Sequence, residues 1–132
     1  MSEYACQRLE IARLRPTERV DAGHVERLAE EIHRDGLQRR PVLVERASLA
    51  ILDGHHRFRA MQRLGLASIN AVLIDYDDPR LTLSSWSARD YTRDEVRAAA
   101  ASGALLPAKS TRHVLDPPLA DMPVPLNDLA TA

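Results

Sequence analysis

The sequence is poor in cysteine, in net charge and in long apolar runs, and each scarcity excludes a class of protein. Its single cysteine, Cys6, excludes a disulfide-stapled scaffold and any metal site built from several thiolates. A net charge of −1 leaves no large positive field, so we expect no nucleic-acid partner. No run approaches the ~18 apolar residues that a membrane helix needs, and the first residues do not resemble a signal peptide. We therefore expect a cytoplasmic protein without a membrane partner.

Lysine and aromatic residues are also scarce. Lys109 is the only lysine among the 18 basic residues, and aromatic residues make up 4% of the chain. The arginines are spread along the sequence without forming a basic block, so they do not indicate a nucleic-acid surface. With 132 residues and 45% hydrophobic content, the chain fits one domain with one real core.

Hydrophobic periodicity predicts alternating strands and helices over the first 76 residues. Apolar residues at positions i, i+3, i+4 and i+7 predict a helix over 24–35, which Gly36 ends. A second helix is predicted from His55 to Gly65. The predicted strands cover 8–14, 41–45, 48–52 and 69–76. The last strand is apolar throughout, as is typical of a strand buried on both faces.

The regular alternation of apolar strand and helix patterns ends after Tyr76. Segment 81–86 fits either a short helix or an edge strand. The pattern Thr92-Arg-Asp-Glu95 is a capping box, which predicts a small helix that Gly103 ends. Five prolines within 107–132 predict extended chain. No linker is long enough to separate two independent domains.

The strongest local motif is Asp53-Gly54-His55-His56-Arg57, at a predicted strand-to-helix corner. Gly54 permits a tight turn, and the next residues present unpaired amides and cationic side chains that favour an anion. The motif predicts a phosphate site. The alternative is an ordinary corner with Asp53 capping the helix and two solvated histidines. A two-histidine metal site is disfavoured, because adjacent helical residues point roughly 100° apart.

Three further features indicate a binding or catalytic role only when they are combined with other residues. The run Lys109-Ser110-Thr111-Arg112-His113 suggests an anion ligand, although, judged alone, a solvated polar loop before a strand-like 114–115 explains it better. Glu18 follows a proline turn, where a lone glutamate is usually solvated. Trp86, judged alone, is more typical of a packed aromatic residue than of a ligand contact.

At ILDGHHRFRAMQRLG the sequence resembles the ParB/sulfiredoxin superfamily. The resemblance implies an α/β (α+β) domain with a small mixed sheet, flanking helices, and a short helical and extended C-terminal segment. Sulfiredoxins carry a cysteine where this chain has His55, which excludes their sulfur chemistry. Chromosome-partition ParB proteins carry a Gly-Glu-Arg-Arg corner and a following helix-turn-helix domain, and this chain has neither.

The free serine kinase branch matches at several separated places. These are 15–18, 51–57, the strand through Asp75-Tyr76, Trp86, and 92–115. Such enzymes phosphorylate the hydroxyl of free L-serine with ADP or ATP, so the resemblance implies these substrates together with Mg²⁺. It also implies a nucleotide-binding core over 1–90, completed by a C-terminal segment over 91–132 that holds the Lys-Ser-Thr-Arg-His loop.

The resemblance also implies a role for each matched residue. Glu18 matches the base that takes the hydroxyl proton, and Asp53 matches the acid beside the reacting phosphate and magnesium. The resemblance implies two roles for His55, one catalytic and one as part of the phosphate-binding corner. The residues implied to hold the nucleotide phosphates are Gly54, His55, His56 and Arg57. Those implied to lie on the substrate side are Trp86, Thr111, Arg112 and His113.

Two departures from the family pattern bear on specificity. Only 87–110 separate Trp86 from the Thr-Arg-His segment, where larger archaeal members carry a long insertion. Glu30 and Glu31 stand where relatives can carry serine near the substrate, which would favour a more basic amino acid. A non-catalytic ParB-like nucleotide-binding regulator and a degenerate scaffold are the rival hypotheses. The choice between ADP and ATP, the oligomeric state and the pathway stay open.

Overall fold

A computed structural model describes residues 3–132. The chain forms three α-helices, eight short strands and two 3₁₀ turns. The helices are α1 (Ala22–Asp35), α2 (His55–Arg63) and α3 (Arg93–Ser102). The strands are β1 (Cys6–Glu10), β2 (Leu37–Gln38), β3 (Val42–Glu45), β4 (Ile51–Asp53), β5 (Ser68–Ile74), β6 (Leu81–Ser85), β7 (Thr111–Leu115) and β8 (Val124–Pro125).

A mixed four-stranded sheet in the order β1-β5-β3-β4 forms the centre of the fold. β3 and β5 run parallel, and α2 lies in the connection that joins β4 to β5. β1 pairs antiparallel with β5, and β4 pairs antiparallel with β3. The structure confirms the mixed α/β fold with a small sheet and flanking helices.

The sheet is buried on both faces, which accounts for its apolar strands. Successive residues point to opposite sides, so Val42 and Val44 pack on α1 and α2, while Leu43 faces α3 and the two-stranded β6–β7 sheet. The resulting three layers contain two apolar clusters separated by the sheet. The strand predicted over 69–76 is confirmed as β5, with burial on both faces.

Capping interactions determine where the helices α1 and α3 begin and end. α1 begins at Ala22, earlier than predicted, because the Asp21 side chain accepts a hydrogen bond from the His24 amide. It ends at Gly36, which adopts a left-handed conformation as expected. The predicted capping box of α3 is confirmed, with Thr92 and Glu95 bonded reciprocally and Gly103 at the C-cap.

Three predictions about local structure need correction. The strand predicted over 8–14 ends at Glu10, because a 3₁₀ turn over Ile11–Arg13 brings Ile11 and Leu14 into the core. The Lys-Ser-Thr-Arg-His segment is largely strand rather than loop, because β7 pairs along the whole of β6. The extended tail contains a 3₁₀ turn over Leu126–Leu129, which buries Leu129 beneath the helices.

The β6–β7 pairing also resolves the open assignment of 81–86 in favour of a strand. β6 lies before residue 91 and β7 after it, so their pairing joins the two predicted parts of the chain. Within residues 3–132, none of the helices has the length and apolar character needed to cross a membrane.

Candidate active site

Glu18 lies on a segment whose backbone is fixed from both sides. Arg15 exchanges backbone hydrogen bonds with Leu49 and Ile51 beside β4. Immediately after it, the Thr17 carbonyl and the Arg19 amide bond to Leu106 at distances of 2.9 and 2.8 Å. The proline turn therefore enters the interior between β4 and the loop after α3, and it carries the Glu18 side chain inward.

The Glu18 carboxylate is buried, with 7% of the residue exposed. Its Oε1 accepts hydrogen bonds from the Thr111 amide (2.8 Å) and the Thr111 hydroxyl (2.5 Å). The Ser110 hydroxyl lies 3.3 Å from the same oxygen and donates to the Pro107 carbonyl. Donors thus occupy Oε1, and Oε2 is the oxygen left to take a proton. The solvated-glutamate interpretation is wrong.

His55 is also buried rather than solvated, and it faces Glu18. Its Nε2 accepts a hydrogen bond from the Thr17 amide (3.1 Å), so in the neutral ring Nδ1 carries the proton. That Nδ1 lies 4.0 Å from Glu18 Oε2. Burial lowers the pKa of His55 to about 3, and the nearby charges of His113 and His56 add to this. His55 is therefore neutral and oriented toward the carboxylate.

The start of α2 forms an anion-binding corner. Gly54, the N-cap, has φ +98° and offers no side chain to cap the helix, so the first-turn amides have no side-chain partner. A Cβ at Gly54 would lie 2.7 Å from Val42 Cγ1 and 2.8 Å from Arg57 Nη1. Only glycine fits there, and its absent side chain leaves the first helical turn open to a ligand.

Two charged groups flank this corner. The half-buried Arg57 guanidinium has one weak hydrogen bond, to the Pro41 carbonyl at 3.4 Å. Burial lowers the pKa of Arg57, and the nearby Asp53 partly offsets this. Asp53 ends β4 with an exposed carboxylate that has no hydrogen bond or ion pair within residues 3–132. Both groups are available to a charged ligand.

His56 connects the starts of the two helices that form one wall of the site. Its Nε2 accepts a hydrogen bond from the Asp21 amide (3.0 Å), and its ring stacks on His24 with centroids 4.2 Å apart. Partial burial lowers the pKa of His56, as do the charges of His24 and Lys109. His56 therefore lines the site mainly as a neutral ring.

Trp86 and Arg112 form an exposed pair on the opposite wall. Trp86 is 63% exposed, so it is not the packed aromatic residue that its surroundings in the sequence suggest. The Arg112 guanidinium carbon lies 4.5 Å from the centre of the Trp86 ring, a cation–π distance. This pair offers a flat aromatic face and a positive charge to a ligand.

His113 lies on the same side of β7 as Thr111, because alternate residues of a strand share a face, and it lines the cavity that also contains Arg112. Its Nε2 forms a 2.6 Å hydrogen bond with the Tyr76 hydroxyl. Burial is the main cause that lowers the pKa of His113 to about 4. The structure thus brings Thr111, Arg112 and His113 to the cavities of the site, and the His113 ring is held there by Tyr76.

Two neighbouring cavities meet at these residues. The larger, of about 510 Å³, is lined by Glu18, the α2 corner and Lys109. The other, of about 360 Å³, is lined by Arg40, Arg112, His113 and apolar side chains. Asp53, Trp86 and Thr111 line both cavities. The arrangement can hold two ligands that meet beside Asp53.

The residues fit a magnesium ion that arrives with phosphates. Mg²⁺ usually takes one or two protein carboxylates and completes its shell with phosphate oxygens and water. Asp53 supplies such a carboxylate at the junction of the cavities. Within residues 3–132 no cluster of three potential protein ligands exists, so a metal held by protein groups alone is not supported.

Several residues of the site were not singled out from the sequence. Thr17 orients His55, His24 stacks on His56, and Arg40 lines the second cavity. Thr17 adjoins Glu18 and His24 opens a predicted helix, so both were near features already noted. Arg40 belongs to no sequence motif, and its place in the second cavity depends on the path of the chain after α1.

The fold agrees with comparisons to known proteins. The ParB N-terminal domain model matches residues 2–85. This chain belongs to that family. A ParB-like protein of Sulfolobus acidocaldarius is 36% identical over 87 residues, which are 66% of this chain and 43% of the relative. An ATP-dependent L-serine kinase of Staphylothermus marinus is 30% identical over 82 residues, 59% of this chain and 32% of that kinase.

This ParB-family chain thus spans less than half the length of the curated relatives it matches. A solved structure of a free serine kinase in complex with AMP superposes with a TM-score of 0.86 at 15% identity. That superposition covers 96% of this chain and 94% of the kinase chain. At this identity the match supports the fold, including the layers after residue 85 that the family model does not reach.

Proposed function

We propose that this protein is a kinase that transfers a phosphoryl group from ADP or ATP to the hydroxyl of free L-serine. The observation that carries the proposal is the buried Glu18 carboxylate, which has one oxygen held by Thr111 and the other facing His55. The named kinase relative and the fold shared with a free serine kinase support the same reaction class.

In the proposed reaction, Glu18 Oε2 takes the proton of the substrate hydroxyl. The hydroxyl oxygen then forms a bond to the terminal phosphorus of the nucleotide, and the bond from that phosphorus to the bridging oxygen breaks. The first-turn amides of α2 and Arg57 neutralise the phosphate charge as it moves. His55 holds its neutral N–H toward the carboxylate and so keeps Glu18 in position.

The remaining roles follow from the walls of the site. Asp53 would hold Mg²⁺, which supplies positive charge to the phosphates when bound. The Trp86–Arg112 pair and its neighbours Thr111 and His113 would contact the substrates, so that the segment over 91–132 completes a core over 1–90. The proposal also places the protein in the cytoplasm, with small metabolites rather than nucleic acid as partners.

Phosphorus NMR on the purified protein tests this proposal. We expect a new phosphomonoester resonance with Mg²⁺, L-serine and one of the two nucleotides, and the productive sample identifies the donor. Glu18→Gln keeps the shape of the side chain but removes the base. It should reduce the rate by roughly 10²–10⁴-fold while nucleotide affinity stays close to that of the wild type.

A ParB-like nucleotide-binding regulator is the second candidate, because the Sulfolobus relative is named a ParB-like protein. Nucleotide binding without product from L-serine or from a mixed amino-acid pool would favour it over the kinase. Product from the mixed pool alone would keep the reaction class and replace the substrate. Normal turnover in Glu18→Gln would show that the base is assigned wrongly.

A further inference from the structure

Thr17 lies directly before the base Glu18 and is fully buried, with 0% of the residue exposed. Its carbonyl accepts a 2.9 Å hydrogen bond from the Leu106 amide, and its hydroxyl lies 3.0 Å from the Ile51 carbonyl of β4. Its amide and its hydroxyl also face His55, the first residue of α2, at 3.1 and 3.0 Å from the ring Nε2. One residue therefore connects β4, α2 and the loop after α3 beside the base.

These contacts determine which nitrogen of the His55 ring carries a proton. A backbone amide can only donate, so Nε2 must accept the Thr17 N–H and has no proton of its own. An imidazolium ring, or the tautomer with its proton on Nε2, would place two N–H groups against each other at 3.1 Å. The lowered pKa of His55, caused mainly by burial, agrees with a ring that stays neutral. The proton of this neutral ring is therefore on Nδ1.

The Nδ1 side of the ring faces the second oxygen of Glu18 across a gap in the larger cavity. Nδ1 lies 4.0 Å from Glu18 Oε2, which is too long for a direct hydrogen bond. Hydrogen bonds of about 2.8 Å from each group reach a common point, so one oxygen atom can contact both. The carboxylate would repel an unprotonated phosphate oxygen, whereas a hydroxyl can accept from Nδ1 and donate to Oε2. The reacting hydroxyl therefore fits between His55 and Glu18.

Resting on the proposed function, we propose that Thr17 is a positioning residue that holds His55 as an Nδ1–H donor to the substrate hydroxyl. The Thr17 amide fixes the tautomer. The Thr17 hydroxyl keeps the ring from turning, because its oxygen lies against Nε2 and beside the Ile51 carbonyl of β4. A turned ring would leave the substrate hydroxyl without its donor and displace it from Glu18 Oε2. Being fully buried, Thr17 acts on the reaction only through His55.

Histidine NMR and steady-state kinetics test this role together. Long-range ¹H–¹⁵N spectra of the wild type should show His55 with a proton on Nδ1 and none on Nε2, assigned by the loss of these signals in His55→Asn. Thr17→Val keeps the shape of the side chain but removes the hydroxyl. It should lower kcat for L-serine by roughly 5- to 50-fold, with less than a twofold change in the nucleotide KM. Thr17→Ser should restore most of the rate. Thr82→Val makes the same change at an exposed position of β6 and should leave the kinetics unchanged.

A double-mutant cycle separates action through His55 from a general loss of packing. His55→Asn keeps an N–H donor near the place of Nδ1 but removes Nε2, so adding Thr17→Val to it should cost less than twofold in kcat. An equal loss with and without His55→Asn, or a folded Thr17→Val enzyme with the wild-type kcat, would overturn the inference while leaving the kinase intact. If the wild type makes no product, the kinase proposal itself fails. The spectra need no turnover, and a proton on Nε2 in the wild type overturns the role of Thr17 in either case.

Discussion

At the scale of single residues, Gly54 determines whether the phosphate corner can exist. Two independent constraints meet there: φ of +98° and contact distances below 3 Å from a Cβ to Val42 and Arg57. The other glycines with positive φ meet only the first constraint. Gly65, for example, has φ +73° and open space around its missing Cβ.

This difference gives a matched pair of substitutions. Gly65→Ala should lower the free energy of unfolding by about 1 kcal/mol, since only the conformational cost applies. Gly54→Ala adds steric overlap with Val42 and Arg57, and should cost about 2–4 kcal/mol and weaken nucleotide binding. Urea denaturation and nucleotide titration measure both. Equal losses in the two variants would show that the corner tolerates a side chain.

At the scale of elements, a buried carboxylate adds a polar contact to the apolar packing of α3 on the sheet. Glu45 on β3 is 1% exposed, and its Oε2 accepts a 3.0 Å hydrogen bond from Arg97 Nε. Its Oε1 accepts a 2.5 Å hydrogen bond from the Ser48 hydroxyl. Arg97 also lies over the Tyr76 ring, at 5.0 Å from its centre. Tyr76 in turn bonds to His113, so α3 and β7 are positioned together.

Removing the Arg97 guanidinium, which binds Glu45, should therefore destabilise the packing of α3 on the sheet. Arg97→Met keeps the aliphatic contact but leaves a buried carboxylate with one partner fewer. We expect a loss of about 1–3 kcal/mol in the free energy of unfolding, moderated because the Arg97 side chain is 47% exposed. Asp94→Ala removes the other ion-pair partner of Arg97, which is fully solvated, and should stay within about 0.5 kcal/mol. Thermal denaturation distinguishes the two.

At the scale of the whole molecule, two buried histidines make stability depend on pH. The pKa of His55 is lowered to about 3 and that of His113 to about 4, against an ordinary value of 6.5. The unfolded chain therefore binds protons on acidification before the folded chain does. The contribution of both histidines to the free energy of unfolding is fully present above pH 6.5. It is lost as the pH falls toward their pKa values in the folded protein.

We expect the free energy of unfolding to decline between about pH 6.5 and pH 4, by up to about 1 kcal/mol per pH unit for each histidine. Chemical denaturation at a series of pH values measures the slope. The variant His113→Gln should flatten the curve in this range. A wild-type curve that is level down to pH 4 would show that neither histidine is buried in the neutral form.

Periodicity and capping patterns predicted the helices and strands, but not which of them pair or pack together. The apolar stripe of α1, the Gly36 end and the Thr92 capping box depend on residues close together in sequence, so periodicity and caps identify them. The turn after Glu10 and the strand character of 111–115 depend on β5 and β6, which are distant in sequence. Those assignments were wrong or open for that reason.

The sequence by itself determined the alternation of strands and helices, the glycine corner before α2 and the set of residues that resemble a kinase site. Tertiary structure alone decided which of them meet. Glu18 and Thr111 are 93 positions apart and share a hydrogen bond only because β7 lies beside β4. The same packing turned His113 inward and left Trp86 exposed, because burial depends on the neighbouring layer and a strand's sequence does not specify what covers it.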